Sequence, residues 1–463
     1  MKVHTVIVGL GRSGMGAARL LAQSGIDVTV IDSGTGEALE HRARLLQQQG
    51  VNVLLGTPLQ PSTFQPWLND LQRVVISPGI AWDHPTIQHL RDKGVAIDGE
   101  MAVAWDALRH IPWIGITGTN GKTTVTHLLN HVLQHCGLTA PMGGNMGFSA
   151  AEIALELQEN RAKQPDWLVM ELSSYQIEAA ERIHPRIGIW TTLTTDHLER
   201  HGTLEKYRAI KRGLLERSEL AILNSDDPDL RQQRSSWSSG VWVSTEESRP
   251  DGNPVDLWID AEGWVREPEQ VLFQASALKL PGSHNRQNML LVTAAARRIG
   301  LSAGQIESAL EAFPGVPHRL EPLGHLRTIA VFNDSKATNY DAAEVGLRAM
   351  QGSTVVLAGG SVKRGDASGW LEQLSRQACG VVLFGDGAAE LNRLIQSSGY
   401  SGPLVCCKDL VQAVTAAVDL AQEQNACNIL LSPACASFDQ YSDFEARGDH
   451  FRQLIATHPL SGS

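Results

Sequence analysis

The sequence has little of what would place it outside the cell or in a membrane. Its six cysteines (Cys136, Cys379, Cys406, Cys407, Cys427, Cys435) are spread over 463 residues with no CxxC pair. A disulfide framework is therefore excluded, and reduced thiols in a cytoplasm are expected. No apolar stretch reaches the length of about 20 residues that would cross a bilayer. The apolar run Val3 to Val8 breaks at Gly9, too early for the core of a secretory leader. Positive charge is the minority: Lys plus Arg number 39 against 50 Asp plus Glu, a net charge of −11, and there is no long basic run. That balance disfavours a surface built to neutralise a nucleic-acid backbone, so any phosphate must be held locally. Tandem repeats and low-complexity tracts are also missing.

What is present is ordinary globular material, with 42% hydrophobic and 19% charged residues. At about 150 residues per domain this length predicts three domains. Short β-branched runs alternate with helical-period segments, which predicts an α/β protein of parallel sheets covered by helices. The first block carries strands at Thr5 to Val8, Val28 to Ile31, Val51 to Leu54 and Val74 to Ile76, with helices at Ser13 to Gln23 and Glu37 to Gln49. A helix at Glu100 to Leu108 and the breaker Pro112 lead into a new strand, Trp113 to Thr117. The stretch Val241 to Val271, with Trp242, Trp258 and Trp264, reads as a small β-rich insertion whose tryptophans pack. Ser302 and Gln305 fit a capping box, and Phe313-Pro314-Gly315-Val316-Pro317 reads as a linker. Beyond it strands are expected at Ile329 to Phe332, Val355 to Ala358, Val381 to Phe384, Leu404 to Cys406 and Ile429 to Leu431. The expected domains are 1–100, 101–315 and 316–463.

The strongest chemical signal is Ile114-Gly115-Ile116-Thr117-Gly118-Thr119-Asn120-Gly121-Lys122-Thr123-Thr124, between a strand and the helical Val125 to Leu133. Glycines turn backbone N–H groups toward an anion at a helix N-terminus, Lys122 reaches terminal phosphates, and the Thr123 hydroxyl can ligate magnesium. A strict Walker A loop would have glycine at Ile116. Glu171 ends the apolar strand Leu168 to Met170, where the second half of a nucleotide-metal site belongs. Asp196-His197 follows Ile187 to Leu193 in the same way; by itself that pair reads first as a satisfied surface histidine.

At the N-terminus Gly9-x-Gly11-x-x-Gly14 follows a strand, and Asp32 stands 21 residues after Gly11, a dinucleotide fingerprint by mechanism. Taken alone it leaves an NAD-dependent oxidoreductase open, since the fold serves many nucleotides. His127, His131 and His135 recur at helical spacing, but with no HExxH pattern a solvated or packed helix face outweighs a metal site. Ser276-Ala277-Leu278-Lys279 lies in a strand-like run without the partner motifs of an S-x-x-K nucleophile.

Together these segments resemble the Mur ligases of peptidoglycan synthesis over nearly the whole chain. The resemblance rests on Gly9-Leu10-Gly11, Ser77-Pro78-Gly79-Ile80, the Gly118 to Thr124 loop and Gly143-Gly144-Asn145-Met146-Gly147. It continues through Glu171-Leu172-Ser173-Ser174, Asp196-His197, Tyr207-Arg208-Ala209-Ile210-Lys211 and His284-Asn285-Arg286-Gln287-Asn288. It ends with Pro317-His318-Arg319, Asn333 to Asn339, Gly359-Gly360 with Lys363, and Leu431 to Gln440.

The resemblance implies that the first domain holds uridine diphosphate rather than NAD, the middle domain ATP, and the last domain ATP and glutamate. It implies a cytoplasmic ligase that adds D-glutamate to UDP-N-acetylmuramoyl-L-alanine through an acyl phosphate, with ATP and two Mg2+ ions. Phosphorylation turns a carboxylate oxygen into a leaving group, so the protein's task is alignment and charge neutralisation. By resemblance Gly118, Thr119, Asn120, Gly121, Lys122, Thr123 and Thr124 hold the phosphates, and Thr123, Glu171 and His197 ligate metal. Lys211 looks like a lysine that takes up carbon dioxide as a carbamate, giving a hard cation the anionic oxygen it needs. Asn145 and Ser173 would meet the muramoyl-alanine part; Asn285, Asn288, His318, Arg319 and Asp334 the adenosine; Lys336 the transferred phosphate. Thr338, Lys363, Ser437, Phe438 and Phe444 would bind glutamate, Lys363 pairing with its side-chain carboxylate. Ser13, Asp32, Ser33 and Gly79 are expected on the uridine side.

The chain departs from the family pattern at Thr192, where Asn is expected, at Glu199, where Asp is expected, and at Gly34, where Arg is frequent. The partners expected are small molecules, without nucleic acid or membrane, in a monomer whose domains close on the substrates. The competing readings are a related ligase using L-glutamate or another amino acid, the oxidoreductase above, and a non-catalytic nucleotide-binding regulator.

Overall fold

The computed structural model describes residues 4–160, 164–246, 254–280, 282–362 and 365–460. The chain divides into two compact units, the first running to Phe313 and the second beginning at Pro314.

The first unit opens with β1 (His4–Val8), α1 (Arg12–Gln23), β2 (Asp27–Ile31), α2 (Glu37–Gln47), β3 (Asn52–Leu54), β4 (Leu71–Ile76), α3 (Pro85–Asp92), β5 (Ala96–Gly99) and α4 (Glu100–Leu108). The strands form a parallel sheet in the order β3-β2-β1-β4-β5. The chain winds outward from β1 on one side and then restarts on the other. A crevice therefore opens at the carboxyl end of β1, and Gly9 to Gly11 lie there. β5 was not anticipated, because its only strongly apolar residue is Ile97.

A second sheet follows in the same unit. Its elements are β6 (Trp113–Thr117), α5 (Lys122–His135), β7 (Met142–Gly144), α6 (Ala150–Asn160), β8 (Leu168–Glu171), α7 (Ser174–Glu178), β9 (Ile187–Trp190), α8 (Leu198–His201) and α9 (Leu204–Arg217). They continue with β10 (Leu220–Asn224), α10 (Pro228–Gln232), β11 (Val241–Ser244), β12 (Leu257–Ile259), β13 (Trp264–Glu267), β14 (Gln270–Gln274), α11 (Ser283–Ile299) and α12 (Ala303–Glu311). The order β14-β13-β12-β11-β10-β9-β6-β8-β7 puts β6 between β8 and β9, so a second crevice opens at Thr117. One core, including Leu20, Leu21, Met101, Val103, Ala150, Ala154 and Leu172, runs between α1, α4 and α6 and reaches both sheets.

The expected β-rich insertion is an extension of this sheet, with antiparallel pairing at β12-β13-β14. Its tryptophans divide. Trp242 is buried, whereas Trp264, expected to pack, is 37% exposed because on β13 it is the alternate residue, Val265, that faces the core. The strand-like reading of Ser276 to Lys279 is corrected to a single turn of 3-10 helix at Ala275–Ala277. The Ser302–Gln305 capping box is present at α12. The histidine face of α5 packs on α12: His131 Nε2 lies 3.0 Å from the Ala309 carbonyl and His135 Nε2 3.1 Å from Ser308 Oγ. Among the described residues no cluster of metal-ligating side chains is formed there or elsewhere, and no helix is long and apolar enough to cross a membrane.

The second unit comprises β15 (Glu321–Leu326), β16 (Ile329–Asn333), α13 (Tyr340–Arg348), β17 (Thr354–Gly359), α14 (Ser368–Gln377), β18 (Ala378–Phe384), α15 (Ala388–Ser397), β19 (Leu404–Cys406), α16 (Leu410–Glu423), β20 (Asn428–Leu431) and α17 (Phe444–Ala456). The order is β15-β16-β20-β17-β18-β19, parallel except for edge strand β15. Return of the chain to β20 places three loop-bearing strand ends side by side: Asn333, Leu431 and Gly359.

Candidate active site

The phosphate loop joins β6 to α5. Gly121 caps α5 at φ 84°, and a Cβ there would meet Asn288 Oδ1 at 2.7 Å, so the loop passes close under the first turns of α11. Thr192 clamps it from the other side, its hydroxyl accepting from Asn120 N (3.0 Å) and its carbonyl from Thr119 N (2.8 Å). The departure from Asn at that position thus supplies a loop support. Lys122 Nζ donates to the carbonyls of Gly118 and Thr119, both at 2.8 Å. An ammonium held on two neutral acceptors can exchange them for phosphate oxygens.

Glu171, the last residue of β8, pairs in register with Ile116 of β6 and so stands beside the loop. Its side chain is buried at 2% exposure. Oε1 accepts from Asn145 Nδ2 at 2.9 Å, while Oε2 is buried with no partner among the described residues. Asn145 reaches it because Gly144, at φ 109°, lies against the Glu171 backbone where a Cβ would overlap the carbonyl oxygen.

Lys211 comes from α9 and is 1% exposed. Its Nζ donates to the Gly118 carbonyl (2.8 Å), lies 3.4 Å from Thr117 Oγ1, and sits 4.5 Å from the Tyr207 ring centroid. Burial above all, with the nearby Lys122 charge, pushes its pKa well below the usual lysine range, against the pull of Asp196 and Glu171. His197 is held in the left-handed region at φ 53°, with Nε2 3.5 Å from Asp196 and Nδ1 3.6 Å from Glu199.

The buried Glu171 oxygen without a donor among the described residues is a hard oxygen ligand that fits magnesium, and the Thr123 hydroxyl in the first turn of α5 is of the same kind. Asn285 and Asn288, 3.3 Å apart through their amides, flank the loop on α11. Ser173 also lies here, but its hydroxyl is engaged in a capping box with Gln176 that starts α7.

The first crevice holds the uridine-side candidates. Asp32 accepts from Leu10 N (2.7 Å) and Gly34 N (2.8 Å), fastening the glycine turn to the end of β2. Ser13 is in the first turn of α1, and Ser33 and Gly79 are exposed at the ends of β2 and β4.

In the second unit the candidates gather at adjacent strand ends. His318 is buried, its Nδ1 3.0 Å from Asn333 Nδ2, and burial lowers its pKa. Asp334 accepts from Leu320 N and Ser432 Oγ, both at 3.2 Å, and burial raises its pKa to about 7. Arg319 is exposed beside them. Lys336 Nζ lies 5.5 Å from the Phe444 ring centroid, Thr338 follows on the same loop, Ser437 is buried and Phe438 is 72% exposed. Lys363 falls outside the described residues.

Three organising residues had no role in the sequence reading. Tyr207 meets Thr119 Oγ1 through its hydroxyl at 3.4 Å, and its spacing of four from Lys211 on one helix was the available signal. Thr191 donates to the Asn120 carbonyl. Arg447 is fully buried and donates to Ser335 Oγ (3.0 Å) and to the carbonyls of Ser335 (2.8 Å), Cys435 (3.1 Å) and Gly359 (3.3 Å), tying the three loops together. An arginine in a helical pattern carried no sign of that burial.

A strand, phosphate loop and helix with an acidic strand end alongside define a phosphate-loop α/β protein. The chain belongs to the Mur ligase family: residues 116–296 match the Mur ligase middle domain, residues 3–99 the Mur ligase MurD-like N-terminal domain, and residues 318–435 the Mur ligase glutamate ligase domain. It is 69% identical to the UDP-N-acetylmuramoylalanine--D-glutamate ligase of Parasynechococcus marenigrum (strain WH8102), over 98% of both chains. The protein of the same name from Prochlorococcus marinus (strain MIT 9313) is 64% identical over 98% of this chain and 99% of its own. Among solved structures, the UDP-N-acetylmuramate-alanine ligase MurC of Thermotoga maritima superposes with a TM-score of 0.57 at 20% identity, covering 98% of this chain and 99% of that one. That likeness concerns the fold.

Proposed function

We infer that this chain is an ATP-dependent ligase that joins D-glutamate to UDP-N-acetylmuramoyl-L-alanine in the synthesis of peptidoglycan precursors. The observation that carries the reading is the 69% identity over 98% of both chains to a protein of that name. The phosphate loop beside Glu171 and Lys211 supports the chemistry. As a Mur ligase it uses ATP and magnesium.

In the first step a carboxylate oxygen of the muramoyl-alanine attacks the γ-phosphorus of ATP. The new P–O bond forms as the bond to the β,γ-bridging oxygen breaks, giving an acyl phosphate and ADP. The glutamate amine then attacks the acyl carbon, phosphate departs with its oxygen, and the amine proton is lost as the amide forms. Lys122 meets the developing phosphate charge, and the N–H groups of Thr123 and Thr124 at the start of α5 face it. Asn145 and Ser173 orient the acceptor carboxylate. Thr123, Glu171, His197 and the carbamate of Lys211 would hold two magnesium ions, which supply charge neutralisation on the phosphates.

Lys211's surroundings support the carbamate. Only a neutral amine attacks carbon dioxide: the N–C bond forms, a proton leaves to solvent, and a carboxylate-like oxygen is created. Burial that depresses the Lys211 pKa supplies that neutral amine. We assign Ser13, Asp32, Ser33 and Gly79 to the uridine diphosphate side, and Asn285, Asn288, His318, Arg319 and Asp334 to adenosine. Lys336 serves the transferred phosphate, and Thr338, Lys363, Ser437, Phe438 and Phe444 serve glutamate. The protein is taken to act as a cytoplasmic monomer.

The test is phosphate release with UDP-N-acetylmuramoyl-L-alanine and a panel of D-glutamate, L-glutamate, L-alanine, lysine and diaminopimelate. Release that depends on D-glutamate and on ATP, and that falls by at least about 100-fold in Lys122→Ala, is expected. Strict dependence on another amino acid, or turnover without ATP, overturns the assignment.

A further inference from the structure

His201 is a buried polar group that the ligation chemistry leaves unused. It ends α8, four residues beyond His197, and is 2% exposed. Its Nε2 lies 2.9 Å from the hydroxyl of Ser174, the first residue of α7 on the loop that follows Glu171. Its Nδ1 is buried with no hydrogen-bond partner among the described residues. The ring stacks on Tyr175 with centroids 5.3 Å apart and lies 5.4 Å from Tyr207. Tyr207 is the ring against which Lys211 Nζ rests, at 4.5 Å from the centroid. Ring contacts therefore lead without a break from Tyr175 through His201 and Tyr207 to the buried lysine.

The chemistry of each alternative residue shows why an imidazole suits this place. A purely apolar ring would leave the Ser174 hydroxyl without its partner, and a small side chain would open a cavity behind Tyr207. A charged ring would add a cation near Arg200, Lys206 and Lys211. Burial, helped by Arg200 and His197, lowers the imidazole pKa to about 4, so the ring stays neutral at working pH. A tyrosine face is a soft restraint on an amine unless the ring itself is held.

We propose that His201 is a positioning residue: it holds the Tyr207 ring, and through it sets Lys211 where its amine meets carbon dioxide. The inference rests on the carbamate reading above and names the residue that prepares this lysine.

The experiment follows the carbamate directly, by 13C NMR of the full-length protein in 13C-bicarbonate with no nucleotide or magnesium present. His201→Ala is expected to lower the carbamate signal at fixed bicarbonate by about five-fold, the scale of one lost aromatic contact, and to raise the bicarbonate needed for half-maximal activity to match. His201→Phe keeps a ring against Tyr207 and is expected to restore the signal to within about two-fold of wild type. A wild-type signal with an unchanged signal in His201→Ala overturns the inference alone, as does an equal loss in the Ala and Phe variants. A wild-type protein with no carbamate signal overturns the carbamate reading itself. If His201→Ala does not accumulate as folded protein, His201→Asn is read in its place by the same criteria.

Discussion

Lys211 Nζ donates to the carbonyl of Gly118 at 2.8 Å, across 93 residues of sequence, so a helical lysine of α9 is bound to the backbone of the phosphate loop. The contact buries an amine within the field of a second lysine, Lys122, and of Asp196 and Glu171. An ammonium there would oppose a cation, whereas a carbamate would serve it.

Removal of that amine is therefore expected to be severe and chemically reversible. Lys211→Ala should lower kcat by about 100- to 1,000-fold, with short carboxylic acids restoring part of the rate. Steady-state phosphate release with and without added acetate or propionate checks this; full activity in the variant without rescue removes Lys211 from the site.

Glu171→Gln keeps the shape and the contact with Asn145 but discards the charge at the donor-free oxygen. The magnesium concentration for half-maximal activity is expected to rise about ten-fold or more, with a smaller effect on the KM for glutamate. A magnesium titration of the variant at saturating ATP decides it, and an unshifted curve places the metal elsewhere.

Glu100 makes stability depend on pH in a definite direction. Its carboxyl is buried at the start of α4 and accepts from Ala151 N at 2.6 Å. Burial first, then the Glu152 charge, raises its pKa from the ordinary 4.5 to about 7. Between those values the folded state keeps a proton that the unfolded state has lost. Stability therefore falls as pH rises through the window, and the penalty is complete above about pH 7. Glu100→Gln should be more stable than wild type at pH 8, by up to about 3 kcal/mol, and nearly equal to it at pH 4.5. Parallel thermal unfolding curves at the two pH values would contradict this.

Arg447 should act as the pin of the second unit. Its pKa is lowered to about 10 by burial, and its hydrogen bonds hold the loops that leave β16, β17 and β20. Arg447→Met leaves three buried carbonyls without a charge-assisted donor, and a loss of about 3 kcal/mol is expected in urea unfolding. The KM for glutamate should rise as well, because Thr338 and Ser437 lie on the loosened loops. A variant as stable as wild type would show that these loops hold themselves.

The phosphate loop, Glu171 and the α/β class were legible because each depends on local pattern: an apolar strand, a glycine-rich turn, a helical period. The Ser302–Gln305 cap could be read for the same reason, since both partners lie within one helical turn. Strands β5 and β15 escaped notice because neither carries the apolar run of a buried strand. Trp264 misled because successive side chains of a strand face opposite ways, and on β13 it is Val265 that turns to the core.

Sequence alone determined where backbone can turn toward phosphate and which strand ends carry acid, because those properties belong to a few consecutive residues. Only the tertiary structure decided that Lys211 meets Gly118, that Tyr207 and His201 stand behind it, that Thr192 supports the phosphate loop, and that Arg447 binds three loops. Each of those contacts joins residues far apart along the chain. Their strength comes from burial, which raises the cost of an unpaired charge or donor and exists only once the sheets have packed.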